Sequence, residues 1–412
     1  MNKKIIGNFF SLASVQMLNY ILPLLTLPYL MNNLGAEKFG LVNFAQAIIQ
    51  YFILFTDYGF NLIATKNIAK VVDDKKQVSK IVSNALVAKA ILLLVSALIL
   101  LGLIVIVPKF RSDALIYLLT FGMVIGSVLF PTFYFQGIEE MKNISILNIS
   151  FKLFFTIAIF IFIHNPSDYL LVPVFNSLGY ITIGLVSLLI MVKKYHFTFT
   201  KPSLTDVKAQ MREGWEIFLS NVSTSLYTTG NVVILGLLTN NTIVGYFSAA
   251  DKIIKACSSV VHPLIQAVYP HVSHTLEKSK DQAITLIKKL FVYASIVIGV
   301  GCLILLFGSD LLFPIVFGDK YNHSIQLIKI MSFLPLITVW ANIYGVLTLI
   351  NFGYQKILSR IYVLCGLGSI VSTIVLITLF NEIGAAINVI LIESIATLSM
   401  YMVIRQKKIF IK

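Results

Sequence analysis

The stretch ILLLVSALILLGLIVIV, residues 91–107, contains no charged residue. Coiled as an α-helix at 1.5 Å per residue it is about 25 Å long, close to the thickness of a bilayer's hydrocarbon core. Lys75, Lys76 and Lys80 precede it, and Pro108, Lys109 and Arg111 follow it. With the apolar residues before it, this reads as a membrane span over 82–107.

Working outward, eleven further apolar windows appear, near 8–31, 40–63, 114–135, 144–164, 169–192, 215–238, 243–267, 286–307, 325–350, 357–380 and 384–403. The predicted fold class is an all-α membrane protein with twelve transmembrane helices. Composition agrees: of 412 residues 58% are hydrophobic and 12% charged, against about 25% charged in soluble domains, which excludes a water-soluble enzyme. Lys3 and Lys4 followed by an apolar run resemble a signal peptide, but the run reaches Leu30, long enough to span, and is read as an uncleaved first helix.

The net charge of +14 would suggest nucleic acid in a soluble protein. Here it follows topology. Lys66, Lys70, Lys75, Lys76 and Lys80 follow span two, and Lys142 follows span four. Lys193, Lys194, Lys201, Lys208 and Arg212 follow span six; Lys278, Lys280, Lys288 and Lys289 follow span eight; Lys356 and Arg360 follow span ten. With Lys3, Lys4, Arg405, Lys407, Lys408 and Lys412 they fall on one side. The opposite loops hold Lys38, Lys109, Arg111 and Lys320. The positive-inside rule therefore predicts cytoplasmic termini. No nucleic-acid partner is needed.

The two halves repeat at a spacing of 205 residues. Gly40, Ala45, Ile48 and Ile49 fall on Gly245, Ala250, Ile253 and Ile254; Lys75 and Gln77 fall on Lys280 and Gln282; Leu98 to Leu101 fall on Leu303 to Leu306. Six spans per half is an even number, so the repeat is parallel, an arrangement found in transporters whose substrate path runs between the halves. The expected organisation is an N-terminal six-helix lobe over 1–192, a cytoplasmic linker over 193–214 and a C-terminal six-helix lobe over 215–412.

Five lysines fall inside spans: Lys89, Lys152, Lys252, Lys255 and Lys329. A charge at a helix centre costs roughly 2.5–3.5 kcal/mol on insertion scales, so each needs a reason. Lys329 lies within snorkelling reach of its span's end. For Lys89 and Lys152, snorkelling and a lumen role are both open. Lys255 stands near the middle of span eight, with Lys252 one turn away and Asp251 four residues before it, in the favourable order for an ion pair that leaves the other lysine free. This pair reads either as an ion-pair knot or as a cationic wall binding an anionic group. Asp57 and Glu393 are candidate coupling acids or partners for the lysines. Gln16, Asn19, Asn43, Gln46 and Gln50 either line the same cavity or bond helix to helix.

Other chemistries find little support. Cys257, Cys302 and Cys365 sit in apolar runs with no metal-ligand spacing, and His262, His271 and His274 have no carboxylates beside them. No metal and no cofactor are expected. The chain has no G-x-x-x-x-G-K-[ST] phosphate loop. A membrane glycosyltransferase or polymerase would need catalytic carboxylates on an external loop, and Asp310, Asp319 and Glu382 are scattered.

Four stretches carry a family resemblance: Leu24-Leu25-Thr26-Leu27-Pro28-Tyr29-Leu30; Leu34-Gly35-Ala36-Glu37-Lys38-Phe39-Gly40 leading into Asn43-Phe44-Ala45-Gln46; Asp57-Tyr58-Gly59-Phe60; and Pro131-Thr132-Phe133-Tyr134-Phe135-Gln136-Gly137-Ile138-Glu139-Glu140-Met141. Over essentially its whole length the chain resembles the Wzx-type O-antigen and polysaccharide repeat-unit flippases of the multidrug/oligosaccharidyl-lipid/polysaccharide exporter superfamily. Phe133 stands where the family often has Trp. The resemblance implies two six-helix lobes in a MATE-like V shape, opening alternately to either side of the bacterial inner membrane. It also implies a cationic cavity lined by span eight, with Lys252 and Lys255, and undecaprenyl-pyrophosphate-linked oligosaccharide as cargo. A polymerase and a chain-length regulator of the same pathway would be its partners, besides the lipid bilayer. A cation-coupled multidrug exporter of the same superfamily is the alternative. The resemblance associates that branch with an acidic residue in span one, and residues 8–31 contain none.

Overall fold

In a computed structural model of the chain, residues 3–317 and 322–410 are described, with some side chains near the N-terminus and around 262–267 and 312–322 left out. Every regular element among them is helical. The order is α1 (Lys3–Asp57), α2 (Phe60–Lys70), α3 (Lys75–Ile106), α4 (Pro108–Ser112), α5 (Ala114–Leu129), α6 (Thr132–Gly137), α7 (Met141–Phe162), a 3-10 turn (Pro166–Leu170) and α8 (Leu171–Lys193). Then follow α9 (Leu204–Thr228), α10 (Gly230–Leu238), α11 (Asn241–Ser259), α12 (Val261–Lys278), α13 (Lys280–Phe317), α14 (Asn322–Met331), α15 (Leu334–Asn342), a π-helical segment (Ile343–Ile350) and α16 (Gln355–Gln406).

Eight helical stretches among the described residues are long and apolar enough to cross a membrane. Two of them, Ile21–Lys70 and Gln355–Gln406, run 50 and 52 residues, about 75 Å at 1.5 Å per residue and far more than one crossing needs. Each is broken where a residue leaves helical geometry: Gly35 at φ 72° and Asn381 at φ 49°. At Asn381 the chain turns back on itself, since a Cβ on Gly384 would fall on the Leu376 carbonyl. The windows 215–238 and 243–267, expected to span, are divided among α9 to α12, which are not among these eight stretches: α10 is only nine residues long, and the other three carry more polar residues. Asn221, Asn231, Asp251, Lys252, Lys255 and several serines and threonines dilute them.

The 205-residue register carries into the helix starts. Gly35 breaks α1 where Asn240 caps α11, and α3 begins at Lys75 where α13 begins at Lys280.

The chain forms two compact units. The first comprises 1–22 and 44–222; the second comprises 23–43 and 223–412. The first has a core of Phe60, Ile68, Val82, Ala85, Phe133 and Phe135, all essentially without solvent exposure. Within it α5 and α8 meet closely: a Cβ on Gly122 would stand 2.6 Å from Ser177, and one on Gly184 would stand 2.7 Å from Leu129. Such small-residue seams let backbones approach where lipid offers no hydrophobic drive. The segment after α8 is irregular and tied down, with the Thr200 amide donating to Ser83 Oγ and the Ser203 amide to Asn84 Oδ1.

The second unit packs Leu349, Ala396, Met400 and Ile404 in one cluster and Val272, Ile287, Val339 and Leu347 in another. Its interior also holds a polar knot. Asn388 Nδ2 donates to Asn231 Oδ1 (2.9 Å) and Thr373 Oγ1 (2.7 Å), while Ser372 Oγ donates to Asn388 Oδ1 (2.6 Å). Asn231, Thr373 and Asn388 are fully buried, and the knot joins α10 to both arms of α16.

Candidate functional site

Helix α11 begins where Asn240 Oδ1 accepts the Ile243 amide, satisfying a donor the helix cannot. Val244, Phe247, Ala250, Asp251 and Ile254 recur at helical spacing on its buried side. Burial of Asp251 among them would be costly without a counter-charge. Lys255 supplies it: Nζ lies 2.7 Å from Asp251 Oδ2 and donates to the Thr228 carbonyl at 3.0 Å. Thr228 is the last residue of α9, so this ammonium also satisfies a carbonyl at a helix C-terminus. Lys255 is thus held twice, as a clamp between α11 and the α9–α10 break.

Lys252 is in a different situation. Its ammonium lies 5.3 Å from the centroid of the Phe39 ring, and no carboxylate pairs with it among the described residues. One carboxylate serves two lysines one turn apart, and it is spent on Lys255. Lys252 therefore has no carboxylate of its own within ion-pair distance among the described residues and rests on the Phe39 ring in a cation–π contact.

The other lysines and acids are placed separately. Lys89, 3% exposed at its side chain, pairs with Asp57 at 3.2 Å and lies over the Phe133 ring. Asp57 closes α1 just before Tyr58 and Gly59, both with positive φ, and Tyr58 stacks on Phe218 at 4.6 Å. Thr132 Oγ1 donates to Asn61 Oδ1, and Thr65 Oγ1 bonds the Phe133 carbonyl. The two motifs around Asp57 and Phe133 thus meet in one cluster of the first unit. Lys152 is half-buried on α7. Lys329 pairs with Asp310 at 2.6 Å. Glu393 makes no ion pair among the described residues and lies close enough to Tyr227 and Tyr362 to act on both electrostatically.

Of the uncharged candidates, buried Asn43 spends its amide on the Phe39 carbonyl (2.7 Å), Gln46 is half-buried and Gln50 is exposed. The Gln16 and Asn19 side chains lie outside the described residues. No group of His, Cys, Asp and Glu that could hold a metal occurs among the described residues. The sequence reading passed over the knot of Asn231, Thr373 and Asn388. Its one signal was amide side chains at 231 and 388 in otherwise apolar runs.

Comparison with known proteins follows the geometry. The model of the family described as "Polysaccharide biosynthesis protein" matches residues 5–276. A protein of Escherichia coli (strain K12) named "Putative O-antigen transporter" is 35% identical over 404 residues, covering 98% of this chain and 97% of its own. A protein of the same name from Shigella dysenteriae is 30% identical over 401 residues, covering 95% and 98%. Among solved structures, an inward-facing multidrug resistance MATE family transporter of the MOP superfamily superposes with a TM-score of 0.66, at 14% identity and 98% coverage of both chains. Lipid II flippase MurJ in an inward closed conformation superposes with a TM-score of 0.65, at 13% identity, covering 99% of this chain and 88% of its own. At such identities these two show the fold, which is MATE-like.

Proposed function

Since the chain belongs to the polysaccharide biosynthesis protein family, we propose that it is a flippase moving undecaprenyl-pyrophosphate-linked oligosaccharide from the cytoplasmic to the outer leaflet of a bacterial inner membrane. It is a transporter and not an enzyme. The full-length relatives support an O-antigen repeat unit or a similar oligosaccharide as cargo. The single observation in this chain that carries the reading is Lys252, a lysine inside a polar span whose nearby carboxylate is already taken.

A pyrophosphate is a compact dianionic group, and a desolvated ammonium attracts it far more strongly than one in water. Lys252 is the anchor for the pyrophosphate, while Lys255 shapes the helix that presents it. Gln46 and Gln50 suit sugar hydroxyls. Lys89 and Asp57 neutralise each other, leaving Glu393 as the acid free to exchange a proton or a cation during transport. Both termini and the lysine-rich loops face the cytoplasm. A cavity bearing Lys252 repels cationic drugs, which favours the lipid-linked anion over the multidrug alternative.

Deleting the gene in cells without a second flippase should leave lipid-linked repeat units synthesised but confined to the inner leaflet. Their undiminished appearance on the outer leaflet would overturn the reading.

A further inference from the structure

Between residues 200 and 210 the chain returns again and again to one turn of α3. The Thr200 amide donates to Ser83 Oγ, the Ser203 amide to Asn84 Oδ1 and Gln210 Nε2 to the Ile81 carbonyl, while Asp206 Oδ2 pairs with Lys80 Nζ at 2.8 Å. Two helices running side by side advance together, one residue of each for one of the other, so the start of α9 crosses α3 here instead of following it. The turn it crosses precedes the lipid-facing run of α3, in which Ile91, Leu94, Val95 and Leu98 are exposed. The first turns of α9 therefore lie at the edge of the bilayer, where hydrocarbon gives way to headgroups. All of these residues belong to the first unit.

The exposed side of this helix has a composition of its own. Leu204, Lys208, Arg212, Trp215 and Leu219 fall within roughly 80° of arc at helical spacing, and all five are exposed, Leu204 by 75% and Trp215 by 50%. Exposed Phe199 and Lys201 lead into it. The acids of α9 lie elsewhere: Asp206 is held by Lys80, Glu213 Oε2 accepts from Asn67 Nδ2, and Glu216 stands beyond the edge of the stripe. Lys201, Lys208 and Arg212 make no ion pair among the described residues. Large apolar side chains interleaved with cations suit a helix lying in an interface, the indole and leucines entering the acyl boundary while the cations reach the headgroups.

We propose that this stripe of α9, with Lys201, binds the headgroup of an anionic phospholipid whose acyl chains lie along Trp215 and Leu219. Charge selects the lipid. A zwitterionic headgroup gains little from three cations with no acid among them, whereas a net negative headgroup gains from each. The bound lipid fastens the segment entering α9 to the bilayer surface, on the side opposite its bonds to α3. That the leaflet is the cytoplasmic one rests on the topology proposed above; the headgroup preference does not.

The test uses the full chain with Trp340→Phe, which leaves Trp215 as the sole tryptophan. It is placed in vesicles of phosphatidylcholine and phosphatidylglycerol, with bromine on the acyl chains of one lipid at a time. Brominated phosphatidylglycerol should quench Trp215 at least about twofold beyond its mole share, and Lys201→Gln, Lys208→Gln and Arg212→Gln together should return quenching to that share. Lys278→Gln, Lys280→Gln and Lys289→Gln together, which lower the net charge equally outside this unit, should leave the preference intact. Quenching in proportion to mole share in the parent, a preference that survives the first triple substitution, or one that the second abolishes would each overturn the proposal. If Trp340→Phe fails to accumulate, the emission lost between the native chain and Trp215→Phe gives the same reading. The measurement reads the headgroup whatever the cargo is, so this proposal and the flippase reading fail separately.

Discussion

Asp251 decides which of two neighbouring lysines is available. It binds Lys255 at 2.7 Å and leaves Lys252 to the Phe39 ring. The i, i+4 order made this division legible in the sequence, although nothing there said that Lys255 also serves the Thr228 carbonyl, because α9 enters the neighbourhood only through folding. The two substitutions should therefore separate. Lys252→Ala should abolish most export with little change in thermal stability, whereas Lys255→Ala leaves Asp251 buried and unpaired and should cost about 1–3 kcal/mol in unfolding experiments. The pair Asp57–Lys89 lies 32 residues apart in sequence and was readable only as one option among several. Lys89→Met should destabilise by about 3–5 kcal/mol, and adding Asp57→Leu should recover part of that loss in a double-mutant cycle.

Helix ends follow short-range chemistry and were readable to that extent. Asp74 caps α3, accepting from the Lys76 and Gln77 amides at 3.0 Å each, and these bonds hold its carboxyl below the usual value of 3.8. A carboxyl lowered on folding stabilises the folded state above its unfolded value and loses that contribution as pH falls through the folded one. Hydrogen exchange at Lys76 and Gln77 should accordingly lose its protection relative to the next helical turn only below that range. The knot of Asn231, Thr373 and Asn388 shows what patterning misses. Its members are 142 and 157 residues apart, so their amides look like isolated polar intrusions until α10 and the two arms of α16 meet. Asn388→Leu removes the donor to Asn231 Oδ1 and Thr373 Oγ1 and the acceptor of Ser372 Oγ, leaving the Thr373–Asn231 bond, and should lower unfolding free energy by about 1 kcal/mol per hydrogen bond lost.

For the whole molecule, hydropathy carried the all-helical membrane fold. The helices α9 to α12 are the exception. They belong to the fold, but α10 is a nine-residue apolar piece and the polar and charged residues of α9, α11 and α12, among them Asn221, Asp251, Lys252 and Lys255, lower the hydropathy of the others. The repeat was visible as scattered identities, but its consequence, Gly40 and Gly245 each lying on the other helix's backbone, depends on a close approach that no sequence spacing states. The family and its full-length relatives place transport rather than catalysis on the chain, and among the described residues Lys89, Lys255 and Lys329 are each paired with an aspartate. The most direct test is reconstitution. In vesicles containing the purified chain and undecaprenyl-pyrophosphate-linked oligosaccharide, the wild type should move the lipid between leaflets, Lys255→Ala should retain measurable movement where it folds, and Lys252→Ala should fall at least tenfold. Movement by Lys252→Ala at the wild-type rate would contradict the account.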